Sequence, residues 1–324
     1  MDPIVVTVPI MGKAARLWLS DGLRGKVLAS VNHATYLLTE AGELVWLATP
    51  ESPQHRRCIQ CPAQVPRLAV DSTFTIRARS IVLESGTELK LGAAQVWEAP
   101  ALPVNEVIDF GILPFKLFAL VASFLARETP AGFGAFIRPV LQITEKQAFT
   151  SGFQPEDIFS KTAWPVVEKI ARACLSHDLP TVLEQADALI GLGEGLTPAG
   201  DDFLGGLFFT RYLLSCSYSQ YHYLKLGDLS KWIDANQPRT NRISYTLLKD
   251  NIIGHALEPL NRLGLALLTD QPVEIAGSAA SDLIKVGHST GWSLLTGFLV
   301  GMLLVFPDDL CIPGPQYEAT GFVS

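Results

Sequence analysis

The stretch EAPALPVNEV, residues 98–107, separates two parts of the chain whose apolar residues follow different patterns. Before it, short apolar runs alternate with turn residues, as in β-strands; after it, apolar residues recur at helical spacing. The stretch itself holds two prolines and is typical of a linker. We therefore expect an α+β protein, with an antiparallel β sheet or barrel domain over residues 1–105 and a mainly α-helical domain over residues 106–324.

The first part contains several hairpin patterns. Residues 26–49 form two apolar runs around a Glu-Ala-Gly-Glu turn. Residues 81–91 form a second hairpin, which turns at Ser85 and Gly86. Between them, residues 74–83 alternate apolar and polar side chains, which predicts a strand with one buried face.

The second part carries apolar residues at helical spacing in seven segments, without the strand-helix alternation of a doubly wound sheet. The predicted helices cover residues 113–127, 155–178, 181–190, 199–216, 250–268, 273–286 and 290–306.

The composition is unusually apolar for a protein in water. Hydrophobic residues make up 48% of the chain, charged residues 18%, and the mean hydropathy is +0.26. Such a chain is expected to cover part of its surface with a partner, another subunit or a second copy of itself. The longest apolar run, residues 292–306, is shorter than the roughly 20 residues of a membrane span and predicts a buried helix, so no membrane association is expected.

Charge and cysteine content narrow the function classes. A net charge of −7 argues against nucleic-acid binding. The start of the chain lacks the basic region and cleavage site of a signal peptide, and five cysteines are an odd number, so we expect a cytoplasmic protein with reduced thiols. Cys58 and Cys61 form a C-x-x-C pair without the second pair that a zinc site needs, which favours chance spacing and no structural metal.

The glycine-rich segment GLGEGLTPAGDDFLGG, residues 191–206, holds six glycines, a Thr-Pro pair and two adjacent aspartates. Thr197 suits a helix N-cap and Pro198 the first helical position, while Asp201 and Asp202 would complement the dipole in the first turn. The segment is therefore expected to begin a helix. It lacks the last glycine of a dinucleotide fingerprint and the lysine of a P-loop, which argues against both nucleotide motifs.

Helix geometry explains only part of the glycine content. Gly205 and Gly206 lie one turn beyond the two aspartates and are expected to leave both carboxylates approachable. Backbone N–H groups at a helix start bind carboxylates or phosphates. We expect a ligand or catalytic site here, in which one aspartate braces the loop and the other faces the ligand. The expected anion-binding residues of this segment are Gly193, Gly195, Thr197 and Gly200.

A second segment repeats part of this pattern. Residues 289–298 align with residues 198–207, so that Gly291 matches Gly200 and Ser293 matches Asp202. We therefore expect two helix starts to face one cavity, with Ser289, Thr290 and Gly291 as further anion-binding residues. His288 is the best placed histidine, and either a catalytic or a structural role fits it.

At these residues the chain resembles the AllH-like family, subunits of bacterial oxamate carbamoyltransferase that are found beside FdrA-like proteins. The glycine-rich segment is similar to the family's most specific motif, and the Thr240–Ser244 spacing and GHSTG at residues 287–291 match two further segments. The family often has an aspartate where this chain has Ser293, so an acid role is not carried over to that position.

The resemblance implies carbamoyl transfer between oxalurate or oxamate and phosphate in purine (allantoin) catabolism, beside an FdrA-like subunit and other subunits of the complex. Both acids are small anions that also carry amide donors. Their anionic ends suit glycine N–H groups, and their amide ends suit a carboxylate. The candidate catalytic residues are Asp201, Asp202 and His288, and Ser244 joins the anion-binding set.

Two other interpretations remain open at this point. A non-catalytic assembly subunit would use the glycine-rich segment to shape an interface, which agrees with the apolar composition. A magnesium-dependent enzyme that binds a nucleotide or phosphate would instead place Asp201 and Asp202 on Mg²⁺. Beyond this possible Mg²⁺, the sequence indicates no cofactor.

Overall fold

A computed structural model describes residues 4–65, 67–103, 106–144, 153–221 and 226–306, together with the side chains of all of these but 226–228. Residues 104 and 105 of the linker, at the expected domain boundary, and the fifth cysteine Cys311 lie outside the described residues.

The first part of the chain forms one ten-stranded sheet. Its strands are β1 (Val5–Thr7), β2 (Ile10–Gly12), β3 (Arg24–Ser30), β4 (Ala34–Thr39), β5 (Leu44–Ala48), β6 (Cys58–Gln60), β7 (Thr73–Arg77), β8 (Ser80–Leu83), β9 (Glu88–Lys90) and β10 (Gln95–Trp97), with helix α1 (Lys13–Trp18) after β2. The order across the sheet is β1-β9-β8-β7-β3-β4-β5-β6-β2-β10. Because only two residues separate β1 from β2, the sheet curls to bring its two ends together.

The second part is helical. Its helices are α2 (Leu113–Leu125), α3 (Ile137–Thr144), α4 (Ile158–Leu175), α5 (Leu179–Ala186), α6 (Ala199–Ser217), α7 (Leu226–Asn236), α8 (Arg242–Ile252), α9 (Glu258–Leu268), α10 (Val273–Leu283) and α11 (Thr290–Met302). Each part buries its own large cluster of apolar side chains. This confirms the α+β class, with strands first and helices second.

The expectation of a purely antiparallel sheet was wrong, because the sheet is mixed. Strands β1 and β9, β2 and β10, and β5 and β6 pair in parallel, while the central hairpins pair in antiparallel fashion. The parallel pairs at both ends involve the short strands β1 and β2, which precede residue 26 and have too few residues for a recognisable alternation.

Two local predictions also differ from the structure. Residues 74–83 form two strands rather than one, because Ala78 and Arg79 adopt positive φ angles of 48° and 59° and turn the chain between β7 and β8. The predicted helix 250–268 is interrupted, since α8 ends at Ile252 and Gly254 has a φ of +82°. The remaining predicted helices correspond to α2, α4, α5, α6, α10 and α11 within a few residues.

The apolar run at residues 292–306 is the buried α11, followed by a short 3₁₀ turn. No helix in the described ranges has the length and apolar character needed to cross a membrane. Cys58, Cys61 and Cys174 are buried free thiols, and Cys216 is an exposed one.

Candidate functional site

Helices α6 and α11 pack against each other through glycines. A Cβ atom on Gly206 would lie 2.0 Å from the carbonyl oxygen of Leu294, and one on Gly297 would lie 1.8 Å from that of Phe203. The two contacts are reciprocal under the alignment of the two sequence segments, since Gly206 corresponds to Gly297 and Phe203 to Leu294. Only glycine permits so close an approach of two backbones.

The two helices run parallel. Further along the pair, the Thr210 hydroxyl in the middle of α6 donates to the carbonyl oxygen of Phe298 at 3.0 Å. Gly301, near the end of α11, faces the Thr210 side chain. At their starts the hydroxyl oxygens of Thr197 and Thr290 lie 3.0 Å apart. Two helix N-termini, each carrying partial positive charge, therefore lie side by side.

Helix α6 begins at the predicted residue 199, but its N-cap lies one residue later than predicted. The helix begins at Ala199, with Pro198 in extended conformation at the N-cap position and no side-chain cap. The prediction of Thr197 as N-cap and Pro198 as first helical residue was wrong, because the Thr197 hydroxyl contacts Thr290 rather than the backbone of its own helix.

Asp201 braces the glycine-rich segment. Its carboxylate accepts hydrogen bonds from the Gly191 N–H at 2.7 Å, from the Ser244 hydroxyl at 2.6 Å and from the Thr240 hydroxyl. The side chain is buried, which raises its pKa, and the three donors oppose that rise. Both carboxylate oxygens thus tie α6 to the segment before it and to the start of α8.

Asp202 differs from its neighbour in its hydrogen bonding. It is 7% exposed, and its Oδ2 is buried without a hydrogen-bond partner among the described residues. Burial raises the pKa of this carboxyl well above its ordinary value, although the hydroxyls of Thr290 and Thr197 oppose the shift. A carboxyl held in this way favours the neutral form and can donate as well as accept a hydrogen bond.

Two further residues near the site are not indicated by any sequence pattern. Tyr36 on β4 has its pKa raised to about 12 by burial and by the charge of Asp202, which brings the sheet to the site. Asn251 on α8 packs against Gly205, where a Cβ would lie 2.7 Å from its side-chain nitrogen. Neither belongs to a motif, and both reach α6 only through the tertiary fold.

The expected reason for Gly205 and Gly206 was wrong. These glycines do not leave the aspartates open to solvent, since Asp201 is 1% and Asp202 7% exposed. They accommodate Asn251 and the backbone of α11 instead. The close packing that glycine allows is what buries the carboxylates.

The expected anion donors also change in part. The N–H groups of Gly200 and Gly291 donate to the carbonyl oxygens of Leu192 and Val286, and are therefore not available to an anion. Within the described chain, the N–H groups of Gly193, Gly195, Ala199 and Thr290 have no acceptor. Gly195 has open space around its Cα and a φ of +95°.

The other predicted site residues lie in the turn before α11. His288 is exposed, and Ser289 occupies the N-cap position of α11 without a side-chain cap. Ser244 is buried and joins the site through Asp201. Ser293, on the first turn of α11, is fully buried, and its hydroxyl has no hydrogen-bond partner among the described residues.

The two aspartates offer few free oxygens to a magnesium ion, and the possible Mg²⁺ stays a prediction. Both oxygens of Asp201 already accept hydrogen bonds from the protein, which leaves Asp202 as a single carboxylate ligand. Mg²⁺ is usually held by one or two carboxylates together with waters and substrate oxygens. In the described ranges no cluster of three or more His, Cys, Asp or Glu side chains could hold a metal ion.

No significant match to the chain was found among curated proteins or among solved structures. A family model does match part of the chain, from just before the glycine-rich segment to the end of α11. The matched part contains the two paired helices and α7 to α10. A protein-family model described as oxamate carbamoyltransferase subunit AllH matches residues 189–302, which confirms the resemblance to that family.

Proposed function

We propose that the chain is a subunit of an oxamate carbamoyltransferase-like enzyme of allantoin catabolism, and that the paired helix starts form part of its active site. The family match over residues 189–302 supports the general assignment. The observation that carries the location is Asp202, whose buried Oδ2 has no partner in the described structure although it lies beside two helix N-termini. Buried polar atoms are nearly always hydrogen-bonded in folded proteins, so this oxygen calls for a partner from outside the described chain, and we assign that partner to the substrate.

The proposed reaction is the phosphorolysis of oxalurate. A phosphate oxygen attacks the terminal carbamoyl carbon and forms a C–O bond, while the bond from that carbon to the oxamate nitrogen breaks. The products are carbamoyl phosphate and oxamate: the phosphate gives up one proton as its oxygen bonds to carbon, and the departing nitrogen gains one. A residue that is protonated near neutral pH and sits at this nitrogen would lower the barrier by general acid catalysis.

We assign the role of that acid to Asp202. Its raised pKa keeps a proton on the carboxyl at a pH where an exposed aspartate is ionised. In the reverse direction, the carboxylate would accept the proton from the oxamate amide. Thr197 and Thr290 hold the carboxyl between the two helix starts and fix its orientation.

The anionic groups of the substrates are assigned to the backbone. The N–H groups of Gly193, Gly195, Ala199 and Thr290 have no acceptor in the described chain and lie at or before the two helix starts. Two helix N-termini favour a bound anion more than one does. His288 and Ser289 line the exposed turn beside them and complete the proposed substrate contacts.

Access to Asp202 requires movement of the chain. Its Oδ2 is buried, so a substrate reaches it only after a local rearrangement, which we assign to the glycine-rich residues 192–197. Gly193 and Gly195, with φ angles of +114° and +95°, place no side chain in the way of such a shift. We assign the trigger for it to substrate or to the FdrA-like and other subunits of the complex.

An omission assay tests the assignment. Oxalurate phosphorolysis is measured with this chain alone, with the FdrA-like and other neighbouring subunits alone, and with all of them together. The proposal expects full activity only when this chain is present. Full activity of the neighbours without it would contradict the proposal, and a requirement for Mg²⁺ and a nucleotide bound to this chain would favour the magnesium-dependent alternative.

A binding measurement on the isolated chain adds a second test. Millimolar oxamate, oxalurate or phosphate is expected to raise the melting temperature through linkage to the folded state, whereas chloride at equal ionic strength is not. Equal shifts with every anion would show that the helix starts do not select among them.

A further inference from the structure

A cavity of about 350 Å³ lies between the sheet and helices α7 and α8, and we call it the interface cavity. Trp18, Arg56 and Arg57 line it from the first part of the chain, and Arg242, Tyr245 and Lys249 from α8. Its residues do not include Asp201, Asp202, Thr197 or Thr290, so it is separate from the paired helix starts.

The lining of the interface cavity is positively charged in a protein of net charge −7. Four cationic side chains face two carboxylates, Glu43 and Asp250. A concave surface of one sign concentrates ligands of the opposite sign. The excess therefore favours an anion.

Two of the four cations are engaged by the protein. The Arg57 guanidinium donates to both oxygens of Asp250 and, at 3.2 Å, to Glu43. The Lys249 ammonium donates to Asp234 at 3.0 Å and to the Tyr245 hydroxyl at 3.1 Å. These pairs hold the walls of the cavity.

The other two cations retain donors for a ligand. The Arg56 guanidinium is 24% exposed and comes no nearer than 3.9 Å to Asp250, which is too far for a hydrogen bond. Among the described residues, the Arg242 guanidinium makes one hydrogen bond, from Nη2 to the carbonyl oxygen of Gly42 at 2.5 Å. A guanidinium has five N–H donors, so both arginines offer a fork that matches phosphate geometry.

The volume of the interface cavity and its apolar lining residues indicate a ligand larger than inorganic phosphate. At roughly 30 Å³ per water molecule, a cavity of this volume exceeds what a bare phosphate ion fills. Ile233, Ile252 and Ile253 supply apolar surface beside the Tyr245 ring. Apolar walls with a few polar groups are typical of sites for small organic molecules.

We propose that the interface cavity binds a small organic phosphate monoester, with its phosphate on Arg56 and Arg242 and its organic group against Tyr245 and the three isoleucines. This site adds to the proposed function and does not depend on it, because none of its residues takes part in the carbamoyl transfer assigned to Asp202.

Calorimetric titration of the full chain with phenyl phosphate tests the proposal. We expect a dissociation constant below about 1 mM, and weaker binding of inorganic phosphate and of phenol. Arg56→Gln and Arg242→Gln should each raise the dissociation constant at least about tenfold, the size expected for one charge-assisted contact. Arg77→Gln removes an exposed arginine that does not line the cavity and should leave binding unchanged.

Three results would overturn the proposal: no binding of phenyl phosphate by the wild-type chain at about 5 mM, equal affinity in the wild type and in both cavity variants, or inorganic phosphate binding as tightly as phenyl phosphate. Asp202→Asn should leave the titration unchanged. Loss of binding in that variant would place the phosphate at the helix starts instead, and so would contradict the separate site.

Discussion

At the scale of single residues, two adjacent aspartates with the same side chain have different environments. Asp201 is surrounded by three protein donors, whereas Asp202 keeps one buried oxygen without a partner in the described chain. The helix places the two side chains about 100° apart, so each faces a different part of the fold. This agrees with the expectation that one aspartate braces the loop, and a ligand role for the other stays a prediction.

Asparagine at these two positions should affect stability in opposite ways. Asp201→Asn replaces one carboxylate oxygen, which accepts hydrogen bonds from the protein, by an NH₂ group that can only donate. We expect it to cost about 1–3 kcal/mol of unfolding free energy. Asp202→Asn should cost little, and should stabilise the chain at high pH. A raised folded-state pKa contributes stability that is lost as pH rises through it, and asparagine has no such loss.

The melting temperatures of the two variants and the wild type check this expectation. They are measured from about pH 5 to about pH 9, a range that lies above the ordinary pKa of aspartate. Glu194→Gln, at an exposed position of the same segment, is the control. Equal and large losses of melting temperature in both aspartate variants would contradict the division of roles.

His55 gives a second prediction at this scale. Burial lowers its pKa to about 4 from 6.5, and its ring contacts the carbonyl oxygen of His255 and accepts the Arg57 N–H. Because the unfolded state binds the proton more readily, the stability that neutral His55 provides is present above pH 6.5 and is lost as pH falls toward 4. The shift corresponds to roughly 3 kcal/mol.

Urea unfolding at several pH values separates this histidine from the carboxylates. His55→Asn should flatten the fall in stability between pH 6.5 and 4, whereas the exposed His33, replaced by Asn, should leave the wild-type profile intact. An unchanged slope in His55→Asn would show that the acid loss has another source.

At the scale of secondary-structure elements, the central unit is the parallel pair of α6 and α11. Glycine lets each backbone touch the other, and Thr210 bridges the carbonyl oxygens of Gly206 and Phe298. Packing this close brings two helix starts together and buries Asp202 between their threonines. The glycines therefore set the geometry of the site from a distance of one to two turns.

Gly206→Ala should separate the two helices. Its Cβ would lie 2.0 Å from a carbonyl oxygen of α11, and we expect a loss of about 3 kcal/mol or more. Gly277→Ala on α10 is the matched control, since its nearest neighbour would be 3.5 Å away and alanine favours a helix by about 0.5–1 kcal/mol. Chemical denaturation measures both, and equal effects of the two substitutions would rule out the tight contact.

At the scale of the whole molecule, the sheet and the helices are joined by a buried ion pair. Arg57, just before β6, donates to Asp250 near the end of α8, and both side chains are buried. Further links are the Glu258 N–H on the Gln54 carbonyl oxygen at 2.9 Å and His55 on His255. These contacts hold the sheet against α8 and the start of α9.

Asp250→Ala should destabilise the chain by about 3–5 kcal/mol, because Arg57 loses its buried carboxylate partner and keeps only the partly exposed Glu43. Glu98→Ala removes one partner of the exposed Lys13–Glu98 pair, in which the side chains are 53% and 60% exposed, and should cost less than about 1 kcal/mol. Differential scanning calorimetry distinguishes the two. A loss below 1 kcal/mol for Asp250→Ala (roughly the surface-pair value) would contradict a structural role of the pair.

Sequence patterns predict the parts of this molecule that are local. The start of α6, the turn at Gly86 and the run of α11 follow from apolar spacing and turn residues within one segment. The two helix starts were also predicted to converge, and the contact of Thr197 with Thr290 agrees with that. Asp201 and Asp202 were recognised as a pair, but not which of them is the brace.

What the sequence does not predict depends on pairing between distant segments. Strands β1 and β2 have three residues each, so their parallel partners become clear only in the curled sheet. Tyr36 reaches Asp202 from a strand with no motif of its own. The glycines at 205 and 206 were assigned to accessibility, whereas they serve helix packing, because the neighbouring helix cannot be identified from local spacing.

The central claim is that Asp202 takes part in carbamoyl transfer, and its most direct test is the rate of oxalurate phosphorolysis by the assembled complex containing Asp202→Asn. The account predicts a fall in kcat of at least about a hundredfold, the size typical of losing a general acid, with the complex still assembled and Glu194→Gln at wild-type rate. A wild-type kcat for the Asp202→Asn complex would contradict the account and would leave this chain an assembly subunit.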